Sequence, residues 1–199
     1  MRDVRYQVLW RNGGVLYAAV EPDAAEIVAR SEALSAWYSE PHNRAMMAGS
    51  GAVAPGDVAE IYAAMRQAGG RPFHLLRDGA LVGDGDFRHI ADGRAEFAIL
   101  IGPRDVQGRG LGTTFSRLLH AFAFAVLHVD DVYLTIVPDN VAGRRCYEKI
   151  GYVVDDGALA RSYAEDPTDI AMRLSRAAFQ AAGGAVLPDV VVEPRPQPR

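Results

Sequence analysis

Residues 104–113 read RDVQGRGLGT, and the interpretation of this stretch decides the fold. Glycines at 108, 110 and 112 remove side chains from a short turn, so that a ligand can approach the backbone closely. After the turn, Leu111, Phe115, Leu118, Leu119, Phe122 and Val126 recur at three- and four-residue steps, which predicts an amphipathic helix. Before it, residues 96–101 (EFAILI) predict a buried strand. A strand, a glycine turn and a helix start leave several backbone N–H groups aimed at one point. The helix dipole makes that point positive, so it suits a diphosphate without a lysine. Taken alone, the three glycines also fit a plain strand-to-helix turn. They match neither the Walker form nor a six-residue dinucleotide fingerprint.

Working outward, three runs precede the turn: residues 73–76, 81–90 and 95–101, separated by Asp78-Gly79 and Asp92-Gly93. Both Asp-Gly pairs are hairpin signals, which predicts an antiparallel meander. Further back, residues 4–10 and 15–20 flank an Asn12-Gly13 turn and predict an N-terminal hairpin. Pro22 and Asp23 open a helix carrying Ile27, Leu34 and Trp37 that breaks near Pro41. Residues 41–56 read as a loop with at most a helical turn, and residues 57–67 as a second helix with Val58, Ile61, Tyr62 and Met65 on one face. Beyond the long helix, residues 132–137 are a β-branched strand stopped by Pro138. Asp139 or Asn140 then caps a short helix that Gly151 ends, and residues 152–154 and 169–174 are the last expected strands.

A chain of 199 residues suits one domain, placed at residues 1–182, with a proline-rich tail at residues 183–199. Prolines at 188, 194, 196 and 198 predict an extended tail, although Val190, Val191 and Val192 are able to pair with a sheet edge. A net charge of -4 argues against nucleic acid or an anionic membrane as partner, since both need a basic surface. The single cysteine, Cys146, excludes an internal disulfide and fits a reducing compartment. No secretory leader or membrane span is read, which together predicts a cytoplasmic protein; a homodimer is compatible with the sequence. His120 and His128 lie eight apart with no carboxylate or cysteine spacing to complete a metal site, so no metal is expected.

Two motifs then coincide. Gln107-x-x-Gly110-x-Gly112 resembles the acetyl-CoA signature Gln/Arg-x-x-Gly-x-Gly/Ala of the Gcn5-related N-acetyltransferases, the GNAT superfamily. Asn140 followed by Tyr147, Glu148, Lys149, Gly151 and Tyr152 resembles the second signature of the same superfamily, in the same order along the chain. The run is most similar to the branch of ribosomal-protein and spermidine acetyltransferases. The similarity covers residues 73–152, leaving the first 70 residues and the tail unmatched. Independently of the family, seven residues are almost two helical turns. Asn140 and Tyr147 therefore share a face about 10 Å apart along the axis, so one ligand arm can touch both. Asn140 as a plain cap and Tyr147 as a packing aromatic remain the structural alternatives.

The resemblance implies an α/β fold: a mixed, mostly antiparallel sheet of about six to seven strands flanked by helices, with a splayed parallel strand pair. It implies acetyl-CoA as cosubstrate, held in the gap between residues 96–101 and 132–137. Ile99, Leu100 and Ile101 would pair with the pantetheine amides. Gln107, Gly108, Arg109, Gly110, Leu111, Gly112 and Thr113 would hold the pyrophosphate, with Arg104 or Arg109 at the 3′-phosphate and Asn140 alongside. The implied activity is acetyl transfer to a primary amine of a protein N-terminus, a polyamine or an aminoglycoside-like molecule. Tyr147 would be the proton donor to the CoA sulfur. Glu96 would be the base, with Asp84 or Asp86 as replacements or as partners of a cationic acceptor. Residues 37–47 (WYSEPHNRAMM) would wall the acceptor side, where they can equally pack between helices; His42 is the one histidine placed to reach it. Cys146 reads as core rather than nucleophile. A binding protein that keeps the CoA pocket without turnover is the second class of reading.

Overall fold

The computed structural model describes residues 4–47, 51–183 and 189–196. Strands β1 (Tyr6–Asn12) and β2 (Val15–Val20) form the N-terminal hairpin with Asn12 opposite Val15, so the turn residues are Gly13 and Gly14, one position later than expected. Helix α1 (Ala24–Ser39) starts at a reciprocal cap: the Glu26 N–H donates to Asp23 Oδ1 and the Asp23 N–H to Glu26 Oε2, both at 2.8 Å. A short helix α2 (Pro41–Ala45) and helix α3 (Pro55–Gln67) follow. The meander is present as β3 (Arg71–Arg77), β4 (Ala80–Ala91) and β5 (Arg94–Ile101), antiparallel throughout.

After β5 the chain makes one 3₁₀ turn (Arg104–Val106), passes through the glycines and enters helix α4 (Leu111–Phe122). The apolar repeat continues past Phe122, but the backbone widens into a π-helical segment (Ala123–Leu127) that ends at His128 in a left-handed conformation. Strand β6 (Asp131–Ile136), helix α5 (Val141–Glu148), the two-residue β7 (Val153–Val154), helix α6 (Ala158–Arg161), β8 (Ile170–Ser175) and helix α7 (Arg176–Ala181) complete the domain. The short helices α6 and α7 carry too few apolar positions to show a period in the sequence. In the tail, β9 (Val191–Pro194) pairs antiparallel with β1, and Arg195 clasps Glu26 through two bonds of 2.7 and 2.9 Å. Pro194 ends an edge strand, where a missing N–H costs no interior ladder bond. The tail prolines 188 and 198 lie outside the described residues.

The sheet runs β7-β8-β6-β5-β4-β3-β2-β1-β9. Nine strands exceed the six to seven that the resemblance implies; β7, at one edge, falls in the expected run 152–154, and β9, at the other, is the strand added to those read from the sequence. Helix α4 buries Phe115, Leu118, Leu119 and Phe122 completely against one face, together with Val8, Phe73, Leu75, Phe87 and Ala95. On the other side α1 and α3 pack together through Ile27, Leu34, Val58 and Tyr62. Covered on both faces, residues 82–87 of β4 are all buried, including Asp84 and Asp86.

One pair in this sheet is parallel, and it does not stay closed. β5 and β6 are joined at Arg94↔Asp131, Ala95↔Val132 and Glu96↔Tyr133 only. Beyond Glu96, β6 keeps only β8, its partner along the whole of Asp131–Ile136, while residues 97–101 keep β4 on one side and, among the described residues, no strand on the other.

Candidate active site

Where β5 and β6 part, a cavity of about 350 Å³ opens. Its floor is β4 and β5, with Asp84, Asp86, Glu96, Ile99 and Leu100 in the lining; its far wall is Thr135, Ile136, Asn140 and Tyr147. Tyr38, Met46, Met47, Val58, Ile61 and Tyr62 close it from α1, the α2 end and α3. The face of α3 read from the sequence therefore serves two purposes: Val58 and Tyr62 are buried, whereas Ile61, 43% exposed, lines the cavity.

Helix α5 presents Tyr147 to this space because Asn140 caps it: the Gly143 N–H donates to Asn140 Oδ1 at 2.8 Å. The amide of the same Asn140 donates to the Met46 carbonyl at 3.0 Å, tying α5 to the end of α2. Tyr147 stands edge-on to Phe97 at 6.4 Å, level with the point of parting. Burial pushes its phenol well above the ordinary range, so at neutral pH it carries a proton to give.

The glycine turn lies past the end of β5. Gly110, at φ +83°, is the N-cap of α4 and offers no side-chain cap, and the first bond onto the cap carbonyl is Thr114 N–H to Gly110 O. The N–H groups of Leu111, Gly112 and Thr113 therefore point out of the helix start unpaired. Gln107 anchors the turn rather than facing outward: its amide donates to the Ile101 carbonyl at 2.7 Å and to Asn43 Oδ1 at 2.9 Å, and its Oε1 accepts from Arg104 at 2.6 Å. Asn43, buried on α2, also donates to the carbonyls of Trp37 and Gly102. Trp37 packs against Gly102, where a Cβ would lie 2.0 Å from the indole. Of residues 37–47, then, Trp37 and Asn43 brace the turn while Tyr38, Met46 and Met47 line the cavity; His42 is exposed and outside the lining. Arg109 is exposed. Cys146 packs against the first turn of α4, with Thr113 Oγ1 at 3.5 Å, and burial raises its thiol, which suits packing rather than nucleophilic attack.

The carboxylates differ in their partners. Glu96 sits at the last paired position of β5, with Oε2 2.8 Å from Nδ1 of the exposed His89. Asp86 accepts from Arg88 at 2.9 Å. Among the described residues Asp84 has no ion pair: Tyr38 and Tyr62 both donate to its Oδ2, at 2.8 and 2.9 Å, and its Oδ1 is buried without a partner. Desolvation pushes its carboxyl up to about 7. Tyr38 and Tyr62 were not singled out by sequence as partners of Asp84, because they come from two helices with no motif linking them to β4. Arg88, Thr135, Tyr163 and Glu165 are further lining residues that the sequence did not single out. Among the described residues no cluster has metal-ligand geometry, and no helix is long and apolar enough to cross a membrane.

This arrangement, a parted parallel pair with a glycine turn at one end and a helical tyrosine at the other, matches known proteins. Residues 16–153 match the model of the acetyltransferase (GNAT) domain. The spermidine N(1)-acetyltransferase of Escherichia coli (strain K12) is 37% identical over 62 residues, which is 31% of this chain and 33% of that protein. The chain is thus aligned with only a third of that relative's length. Among solved structures, Mycobacterium smegmatis RimJ in complex with CoA-disulfide superposes with a TM-score of 0.74 at 17% identity, over 90% of this chain and 93% of that one. The aminoglycoside acetyltransferase AAC(6')-Ib in complex with coenzyme A and kanamycin superposes at 0.67 and 21% identity, over 84% and 98%. Motif order, fold and family model agree: the chain belongs to the GNAT acetyltransferase family.

Proposed function

We propose that this chain transfers the acetyl group of acetyl-CoA to a primary amine, with residues 1–182 as the catalytic unit acting in the cytoplasm. The observation that carries this is the unpaired edge of residues 97–101, which runs from the Glu96–Tyr133 pair to the glycine turn. Unpaired backbone N–H and C=O groups need partners, and an extended chain of amides supplies them strand by strand. Ile99, Leu100 and Ile101 bind pantetheine there. The N–H groups of residues 107–113 bind the pyrophosphate, and Arg104 or Arg109 meets the 3′-phosphate.

The amine nitrogen attacks the thioester carbon, forming C–N, while the C–S bond breaks. A backbone N–H of residues 99–101 stabilises the oxyanion. The proton leaving the amine passes to Glu96 and, through His89 at 2.8 Å, has a route to solvent. The departing thiolate takes its proton from Tyr147. The acidic lining of Asp84, Asp86 and Glu96 supports a cationic acceptor. The test is thiol release from acetyl-CoA over a panel of amines, alongside the thermal shift with CoA. Turnover with at least one amine is expected. A shift with no turnover on any amine leaves a CoA-binding protein, and no shift at millimolar CoA removes both readings.

A further inference from the structure

Among the described residues, Arg88 is the one Arg, Lys or His in the lining of an otherwise acidic cavity. It lies directly opposite Glu96, on β4 and β5, so the two side chains share the cavity face. Opposite charges at such a position ordinarily join. Here each is held by another residue of β4 instead. Arg88 Nε donates to Asp86 Oδ1 at 2.9 Å, and Glu96 Oε2 lies 2.8 Å from His89 Nδ1. Among the described residues neither terminal nitrogen of Arg88 makes a hydrogen bond, and Glu96 Oε1 accepts none.

The space beside this pair is open. Ala98, opposite Asp86, is the next residue of β5 on the same face and contributes only a methyl group. The Arg88 side chain is 39% exposed, so its free nitrogens are within reach of a ligand. Neutralising the buried Asp86 takes the Nε alone and leaves the fork without a role. A guanidinium fork matches the two oxygens of a carboxylate, a group that an acidic wall for simple amines has no means to hold.

We propose that Arg88 is a specificity residue that binds a carboxylate on the carbon next to the reacting amine, so that the acceptor is an α-amino acid. The proposal rests on the acetyl-transfer reading, in which the amine gives its proton to Glu96. Side chains at directly opposed strand positions start about 5 Å apart. The ammonium and carboxylate of an α-amino acid are joined through a single carbon, so one zwitterion spans the pair. Its ammonium then meets Glu96 and its carboxylate meets the Arg88 fork. Once the proton has passed to Glu96, the carboxylate is still held by Arg88. An amine without the carboxylate leaves the fork bare, and a peptide N-terminus offers it one neutral carbonyl oxygen.

The experiment screens the protein amino acids for acetylation, then compares the best with its decarboxylated amine and its amide in wild type, Arg88→Lys and Arg88→Gln. In wild type, kcat/KM for the acid should exceed that for the decarboxylated amine by roughly ten- to hundredfold, the worth of one charged hydrogen bond. It should exceed that for the amide as well. The acid-to-amine ratio should shrink in Arg88→Lys, which keeps the charge without the fork, and collapse to one or below in Arg88→Gln. Comparing the same substrates across variants cancels their different basicities. An amine or amide as good as the acid in wild type, turnover on other amines but on no amino acid, or a ratio unmoved in Arg88→Gln overturns the carboxylate site and leaves acetyl transfer standing. Absence of turnover on every amine instead strikes the acetyl-transfer reading. Arg88→Gln leaves Asp86 buried without its cation. Should it not fold, Asp86→Asn combined with Arg88→Gln removes both charges and decides, with the CoA thermal shift reporting a folded protein.

Discussion

The two ends of the active-site cavity are built by different means. The end proposed to hold the cofactor is made of backbone: the unpaired edge of β5, the left-handed Gly110 and the open N–H groups at the start of α4. The end proposed to hold the acceptor is made of side chains from separate elements, with Tyr38 of α1 and Tyr62 of α3 converging on Asp84 of β4. Backbone recognition reads what every acetyl-CoA shares, whereas side-chain recognition can be changed residue by residue. The two ends are nevertheless fastened together. Asn43 joins the acceptor wall to Gln107 in the turn, and Asn140 joins it to α5.

On the proposed reading one side chain of the far wall, Tyr147, carries chemistry. Tyr147→Phe removes a hydroxyl and keeps the ring that packs on Phe97 and Tyr152. Turnover should fall by about 10²–10⁴-fold, the usual reach of general acid catalysis, while the CoA-induced thermal shift stays. Wild-type turnover in the variant would mean that the cofactor end alone suffices and that Tyr147 only packs.

The next effect separates the ends by pH. Asp84 is pushed up to about 7 from 3.8, so the folded state holds its proton more tightly than the unfolded chain. The stability this contributes is complete below about 3.8 and is lost as pH rises through about 7, in total roughly 4 kcal/mol at most. His74 and His120 act in the opposite sense: burial lowers them to about 3 and about 4, so acidification below about 6.5 protonates the unfolded chain preferentially and destabilises the fold. Urea midpoints for wild type and Asp84→Asn should therefore diverge between pH 4 and 7, with the variant gaining. Parallel curves would show that Asp84 is not held in an unfavourable setting.

Gly110→Val addresses the cofactor end. At φ +83° a β-branched residue is strained by about 1–2 kcal/mol, which works against the left-handed cap that sets the N–H groups of the α4 start. CoA at 100-fold its dissociation constant should stabilise wild type by about 2.7 kcal/mol and the variant by far less. An undiminished shift would move the phosphate site away from this turn.

How much of this the sequence disclosed follows the same division. Residues 96–113 and 140–152 are contiguous, and their spacing reports backbone geometry directly, so the strand, glycine turn, cap and helical tyrosine were legible. Asp84 and Asp86 alternate with Gly83, Gly85 and Phe87, a pattern that reads equally well as the solvent face of a meander strand. Only the docking of α1 and α3 encloses that face, and no local pattern records it. The apolar step past Phe122 continues at helical spacing, so the change to π geometry left no mark in the residues. β9 was legible only as an alternative, since Val190, Val191 and Val192 allow edge pairing while the prolines argue against a ladder except at an edge, and being at an edge is a tertiary fact.

The smallest effect tests whether the two ends are mechanically joined. Asn140→Ala removes the α5 cap and the tie to the Met46 carbonyl together, and should cost about 1 kcal/mol in stability. Asn140→Asp keeps an oxygen for the Gly143 N–H but has no donor for Met46, so it isolates the tie. If the tie positions Met46 and Met47 against the acceptor, Asn140→Asp should raise the acceptor KM severalfold with kcat and CoA affinity little changed, the signature of lost uniform binding. If Asn140 serves α5 alone, Asn140→Asp should match wild type in KM, and Asn140→Ala should lower stability without favouring either substrate. A fall in kcat with KM intact would instead place the effect on Tyr147, seven residues along the same helix, and join Asn140 to the chemistry rather than to the wall.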